Sequence, residues 1–204
     1  MCGIAGCLSL PSSPAGGNLA KVRSMIETIR HRGPDGQGFW ESRDACVCLG
    51  HARLAVIDTS EAGTQPMQGL DGTTVTFSGE IYNYHELRAE AIGQGRSFRS
   101  KSDTETVLSS YEEHGLAFVR HLRGMFAFAL WDEPRRRLIL ARDRFGIKPL
   151  YFTQVNDCLY FASEAKALVP FLERTETDHD ALLSYLTFQN YLGSKTLFCG
   201  IEQV

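Results

Sequence analysis

Leu19, Val22, Ile26 and Ile29 recur three and four residues apart, the spacing that lines one face of an α-helix. Asn18 precedes them as an N-cap, and the helix must stop before Gly33-Pro34, where proline disfavours continuation. A second helix is announced by Ser102 and Glu105, the two ends of a capping box, with Val107, Leu108 and Tyr111 on its buried side and Gly115 as its stop. Elsewhere the pattern turns strand-like. Met125 to Trp131 and Arg137 to Ala141 flank the charged turn Asp132-Glu133-Pro134-Arg135-Arg136, and Leu150 to Thr153 pairs with Leu159 to Ala162 across Asn156-Asp157. Strand segments outnumber helices and adjoin one another through turns, which favours antiparallel hairpins over a doubly wound parallel sheet. The class is α+β, or a layered α/β arrangement. No internal repeat or long linker interrupts it, and Pro11 to Gly17 reads as a small-residue loop that tolerates insertion.

With 43% hydrophobic and 22% charged residues, composition is that of an ordinary globular protein. A chain of 204 residues buries roughly 70% of its unfolded surface, enough for one domain with a large core. A formal charge of −3 provides no broad basic field, which argues against nucleic acid or an anionic membrane as partner. The longest apolar run, Met125 to Trp131, is too short to span a bilayer, and the N-terminus lacks a secretory pattern. A cytoplasmic location is expected. Six cysteines without a C-x-x-C pair are read as reduced and structural. Cys46 and Cys48 alternate along a strand and would share a face, but no metal centre is assigned to them.

The chemistry centres on Cys2. A small side chain after Met1 allows an aminopeptidase to expose Cys2 as the new terminus. Its α-amino group, with a pKa near 7.7 to 8.0, can then accept the thiol proton and leave the more nucleophilic thiolate. Alone, a cysteine here reads first as a small buried hydrophobe, the commoner fate of a lone cysteine. Five further segments change that balance. They are His31-Arg32-Gly33-Pro34-Asp35-Gly36, Arg53-Leu54-Ala55-Val56-Ile57-Asp58, Gly79-Glu80-Ile81-Tyr82-Asn83-Tyr84, Ser102-Asp103-Thr104-Glu105, and the run from Ala141 to Tyr151.

Met1-Cys2-Gly3-Ile4-Ala5-Gly6 resembles the start of class II glutamine amidotransferases. With the other segments in the same order, the whole chain resembles the N-terminal glutaminase domain of glutamine-hydrolysing asparagine synthetases. The sugar-phosphate and phosphoribosyl branches of the class usually carry a different segment where Gly50-His51-Ala52-Arg53 stands here. The resemblance implies an N-terminal-nucleophile hydrolase fold, a four-layer αββα sandwich with two mostly antiparallel sheets. It implies a glutaminase domain over 1–190 and, over 191–204, the start of a connection to a synthetase domain absent from this chain. No S-G-G-x-D-S-like pyrophosphate loop occurs in these residues, so ATP and magnesium are expected only for that missing domain, with no cofactor in this one. The expected partners are L-glutamine and the synthetase domain, and a homodimer is compatible with the resemblance.

The same resemblance implies roles at matching positions. Cys2 attacks the glutamine carboxamide, and Gly79 donates its amide to the oxyanion. Arg53 holds the substrate α-carboxylate, as suits a guanidinium able to give two parallel hydrogen bonds. Glu80 and Asp103 meet the α-ammonium, while the backbone of Leu54 to Ile57, Val56 among them, lines the slot. Taken singly, Asp103 also suits the first turn of a helix and Arg53 a strand-end ion pair. Asp35 reads as the organiser of a helix-stopping turn, and Asp143, Arg144 and Lys148 as a charged loop that contacts the next domain. Ser78 departs from the pattern, because asparagine synthetases usually carry Asn there to help hold the oxyanion, and one such donor is worth about 10² to 10³ in turnover. Ser78 therefore supports a competing reading, a catalytically weak or inactive module with a structural or regulatory role. A third reading keeps the glutaminase but changes the acceptor from aspartate.

Overall fold

The computed structural model describes residues 1–10, 18–191 and 193–204, so the Pro11 to Gly17 loop lies outside the described residues. Among the described residues, ten strands and four α-helices follow in the order β1 (Gly3–Ser9), α1 (Asn18–Thr28), β2 (Gly36–Glu41), β3 (Val47–Arg53), β4 (Met67–Gln68), β5 (Thr73–Ile81), α2 (Tyr84–Gly93), α3 (Asp103–His114), β6 (Gly124–Asp132), β7 (Arg137–Arg142), β8 (Tyr151–Val155), β9 (Cys158–Ala162), α4 (His179–Phe188) and β10 (Glu202–Gln203). One sheet runs β10-β8-β9-β1-β3-β2 and the other β4-β5-β6-β7. Every pairing is antiparallel.

Side-chain alternation along the strands sorts the core into three layers. Ala5, Cys7, Cys48 and Ala52 face α1, where Val22, Met25, Ile26 and Ile29 cover the first sheet. Ile4, Val47, Leu49 and Phe161 face the other way and meet Ala127, Ala129 and Trp131 of the second sheet. On the far side of that second sheet, Val75, Phe77, Phe126, Phe128 and Leu130 pack under Leu87, Val107, Leu108 and Tyr111 of α2 and α3. The order helix, sheet, sheet, helix is the four-layer sandwich that the resemblance implied. Both helices read from sequence form, as do both hairpins, and Asn156 takes the positive φ of 51° that its turn requires.

Several local expectations resolve differently. Asn18 is buried inside the first turn of α1, where its Nδ2 donates to Ser9 Oγ at 2.8 Å and to the Ala45 carbonyl at 3.2 Å, tying the helix to the sheet rather than capping it. Ser102 does cap α3, accepting from Thr104 N at 3.1 Å. Glu105, however, reaches past Ser102 to the amides of Arg99 and Ser100 at 2.9 and 2.8 Å, so the box closes on the preceding loop. Cys46 and Cys48 do not share a face. Cys46 lies in the turn before β3, beside Ala45 with φ 55°, and packs toward the inter-sheet core, whereas Cys48 faces α1. Among the described residues no group of three metal-ligating side chains occurs, and no helix is long and apolar enough to cross a membrane.

Asp143 and Lys148 are buried, while Arg144 is exposed. Asp143 accepts from the amides of Phe126, Phe145, Ile147 and Lys148 at 3.0 to 3.2 Å, which makes it the organiser of the loop. Residues 193–204 fold back on the domain. Glu202 and Gln203 pair with Phe152 and Tyr151, and Ile201 enters the core beneath α1.

Candidate active site

β1 and β3 run side by side, so Cys2, the residue just before β1, lies next to the end of β3 and the loop that leaves it. Leu54 holds the thiol from both sides, its amide 3.4 Å from Cys2 Sγ and its carbonyl 3.5 Å from it. The thiol is half-buried, and burial, the largest influence on it, raises its pKa above the usual value of 9.0. Unassisted, it would stay protonated at neutral pH. The Cys2 carbonyl is also held, by Arg32 Nε at 3.0 Å and by Ser78 Oγ at 2.8 Å.

A cavity of about 190 Å³ opens beside Cys2. Its walls contain all nine residues singled out from sequence: Cys2, Arg53, Leu54, Val56, Ile57, Ser78, Gly79, Glu80 and Asp103. They come from four parts of the chain. Strand parity determines what the Gly79 segment offers. The amides of Phe77 and Ile81 point away from β6, the first to Gln65 Oε1 at 2.6 Å and the second to Asp103 Oδ2 at 2.9 Å. Two-residue periodicity puts the Gly79 amide on the same side, between them and at the cavity wall. A side chain cannot replace the glycine hydrogen there, because a Cβ would sit 2.2 Å from the Met125 carbonyl oxygen and 2.7 Å from Phe126 Cα.

Asp103 is 4% exposed at the first turn of α3. Burial pushes its carboxyl up to about 6, against the lowering effect of the Ile81, Thr104 and Asp103 amides, and the nearby Glu80 carboxylate adds to the rise. Two acidic groups thus face one small volume. Arg53 lies across it and braces the adjoining loop, its Nη2 donating to the Asp58 and Ser60 carbonyls at 2.8 and 2.6 Å and its Nη1 to Thr64 Oγ1 at 3.4 Å. Asp35 braces the same loop by accepting from Ala55 N at 2.8 Å, a partner beyond β3 rather than an amide of the helix-stopping turn it was expected to organise.

Sequence reasoning missed several wall residues. His51 is 1% exposed on β3, and burial lowers its pKa to about 4, so the ring is neutral. Its position two residues beyond the apolar inter-sheet pair Val47 and Leu49 carried a signal, because every second residue of β3 faces inward. Lys148 reaches the cavity from the charged loop read as a contact to the next domain, its Nζ 2.8 Å from Met1 Sδ. Gln65, which holds the Phe77 amide, lies in an irregular stretch with no periodicity to mark it.

A family model described as a glutamine amidotransferase domain matches residues 1–204. The chain is 41% identical over 206 residues to asparagine synthetase [glutamine-hydrolyzing] 1 of Bacillus subtilis (strain 168), covering all of this chain and 32% of that protein. It is 42% identical over 180 residues to amidase chry2 of Gibberella zeae, covering 84% of this chain and 27% of the other. The chain therefore spans about a third of the length of the curated relatives it matches. Among solved structures, a glutamine phosphoribosylpyrophosphate amidotransferase from B. subtilis superposes with a TM-score of 0.70 at 20% identity, over 83% of this chain and 43% of that one. That likeness establishes the N-terminal-nucleophile hydrolase fold. On a match that runs its full length, the chain belongs to the glutamine amidotransferase family.

Proposed function

We propose that the chain hydrolyses L-glutamine to glutamate and ammonia with Cys2 as nucleophile, once Met1 has been removed. The observation that carries this reading is the convergence, on one cavity beside Cys2 Sγ, of an arginine, two carboxylates and a strand amide aimed away from its sheet partner. The α-amine of Cys2 takes the thiol proton, and Sγ attacks the side-chain carboxamide carbon. The Gly79 amide donates to the resulting oxyanion. The ammonium formed on Cys2 returns its proton to the departing nitrogen, which leaves as ammonia, and a γ-glutamyl thioester remains. Water then adds to the thioester carbon, glutamate leaves, and the proton returns to sulfur. No step requires a metal or organic cofactor.

The cavity chemistry also selects an amino acid over a simple amide. Glu80 and Asp103 would take the α-ammonium, and the Arg53 N–H groups not committed to the 58–64 loop would take the α-carboxylate. Leu54 to Ile57 would line the side-chain slot. Ammonia is protonated in water to a poor nucleophile, so the product is most useful to a fused, ATP-dependent synthetase domain that receives it directly. Asparagine synthesis is the reading favoured by the asparagine synthetases among the relatives. An acceptor other than aspartate is the second reading, favoured by the equal similarity to a protein named as an amidase. The Ser78 hydroxyl donates its one hydrogen to the Cys2 carbonyl, so the oxyanion is left to the Gly79 amide, and the weak-module reading keeps the support that Ser78 gave it.

Glutamate release from glutamine, measured alongside intact mass, tests the proposal. Protein lacking Met1 is expected to release glutamate, and Cys2→Ala to reduce release to background. Equal release by Cys2→Ala would refute it.

A further inference from the structure

The corner that follows β9 reaches back to the first residues of the chain. Ser163 clasps Ile4 from both sides, its amide donating to the Ile4 carbonyl and its Oγ accepting from Ile4 N, both at 2.9 Å. The next residue, Glu164, does not line the cavity. Its Oε1 instead accepts from Arg32 Nη1 at 3.1 Å, the same guanidinium whose Nε donates to the Cys2 carbonyl. Arg32 has little freedom to do anything else, since its side chain is 9% exposed and its stem lies over Gly3, where a Cβ would sit 3.2 Å from Arg32 Cδ.

We infer that Glu164 is a positioning residue for Cys2, acting through Arg32. This role follows from the contacts around Cys2 and rests on the reading of Cys2 as nucleophile. Once Met1 is gone, Cys2 has no preceding peptide to hold it, yet its sulfur and its amine must both keep their places. Its carbonyl is the remaining backbone handle. Arg32 Nε and Ser78 Oγ occupy the two acceptor sites of that oxygen from opposite sides of the sandwich. Ser78 is fixed by its strand, whereas Arg32 sits in a 3-10 turn over Arg30–Arg32 and needs an external anchor. Glu164 is that anchor, and a charge-assisted pair with a largely buried guanidinium is the strong kind. His31 Nε2 at 2.8 Å from Oε1 and Lys166 Nζ at 3.1 Å from Oε2 complete the groups facing the carboxylate. Against burial, which raises it, hydrogen bonds from Arg32, Lys166 and His31 hold its pKa below the ordinary carboxylate range.

A double-mutant cycle separates positioning from a general structural role. In protein lacking Met1, Glu164→Gln is expected to lower kcat for glutamine about tenfold while KM stays within about twofold, a loss of about 1.4 kcal/mol in transition-state stabilisation. In an Arg32→Lys background the same change is expected to lower kcat less than about twofold, because the path it acts through is already broken. The cycle is read in parallel on the rate at which iodoacetamide alkylates Cys2, which does not depend on glutamine turnover. Absent turnover in the parent would sink the glutaminase reading, and the alkylation cycle would still decide this one. An unchanged kcat and alkylation rate in Glu164→Gln, or losses that multiply in the double variant, would overturn the inference.

Discussion

Asp103 shows how one residue carries two opposed demands. Its carboxyl is raised to about 6 mainly by burial, so the folded state holds its proton more tightly than the unfolded chain does. Above pH 6 the buried charge therefore costs stability, on the order of 3 kcal/mol. The cost fades as pH falls through 6 toward the ordinary carboxyl value of 3.8. The proposed contact with the substrate ammonium runs the other way, because it needs the ionised form. KM for glutamine is expected to rise as pH drops through about 6, which steady-state kinetics at fixed ionic strength would reveal. Asp103→Asn should melt several degrees higher at pH 8 and bind glutamine at least tenfold more weakly, since Asn keeps an oxygen for the Ile81 amide but loses the charge. At pH 8 His51, neutral down to about pH 4, contributes no difference to that comparison. Most of these residue identities were legible in sequence as segments in order. What was not legible was that Ser78 faces the Cys2 carbonyl, which depends on how β5 of one sheet lies over β1 of the other.

Among the elements, β5 does most to shape the site. Its outward face packs under α3, its inward face presents Ser78 toward Cys2, and its free edge beyond β4 presents amides to the cavity. Gly79→Ala would drive a methyl into the backbone of β6, so the strands must part. We expect loss of glutamate release together with a melting point lowered by several degrees, given overpacking costs of about 1 to 3 kcal/mol. Gly93→Ala is the matched control. A Cβ there meets nothing within 4 Å at the end of α2, and the change should be neutral or slightly stabilising. A differential scan of both variants beside the parent checks the contrast. Helices α1 and α3 and the two hairpins could be read from the chain because local periodicity and turn residues encode them. The placement of β1 between β3 and β9 could not, since that pairing joins residues distant in sequence. Cys46 shows the same limit at short range, where a turn residue at positive φ reset the face that alternation assigned.

At the scale of the whole molecule, the inter-sheet core holds the two halves of the site together. Arg53 belongs to one sheet, with Cys2 immediately ahead of its β1, and Ser78, Gly79 and Glu80 belong to the other, so their separation depends on how closely the sheets approach. Phe161, fully buried between them, packs over Gly6, where a Cβ would lie 2.3 Å from Phe161 Cζ. Phe161→Ala is expected to cost about 3 to 5 kcal/mol, lowering the melting temperature by roughly 10 °C, with kcat falling as the sheets readjust. Thermal denaturation followed by circular dichroism, with kinetics taken well below the transition, would test both parts. Sequence alone determined the chemistry available, because a cysteine at the second position, an arginine, two carboxylates and a strand glycine are identities that folding does not change. It also determined the helices and hairpins, whose stabilising contacts lie within a few residues of one another. Only the tertiary structure decided which of these groups share one cavity, that Asp143 and Lys148 turn inward, and that Arg32 and Ser78 meet at the Cys2 carbonyl. Those relations arise from packing two sheets and their helices face to face, and no periodicity along the chain records them.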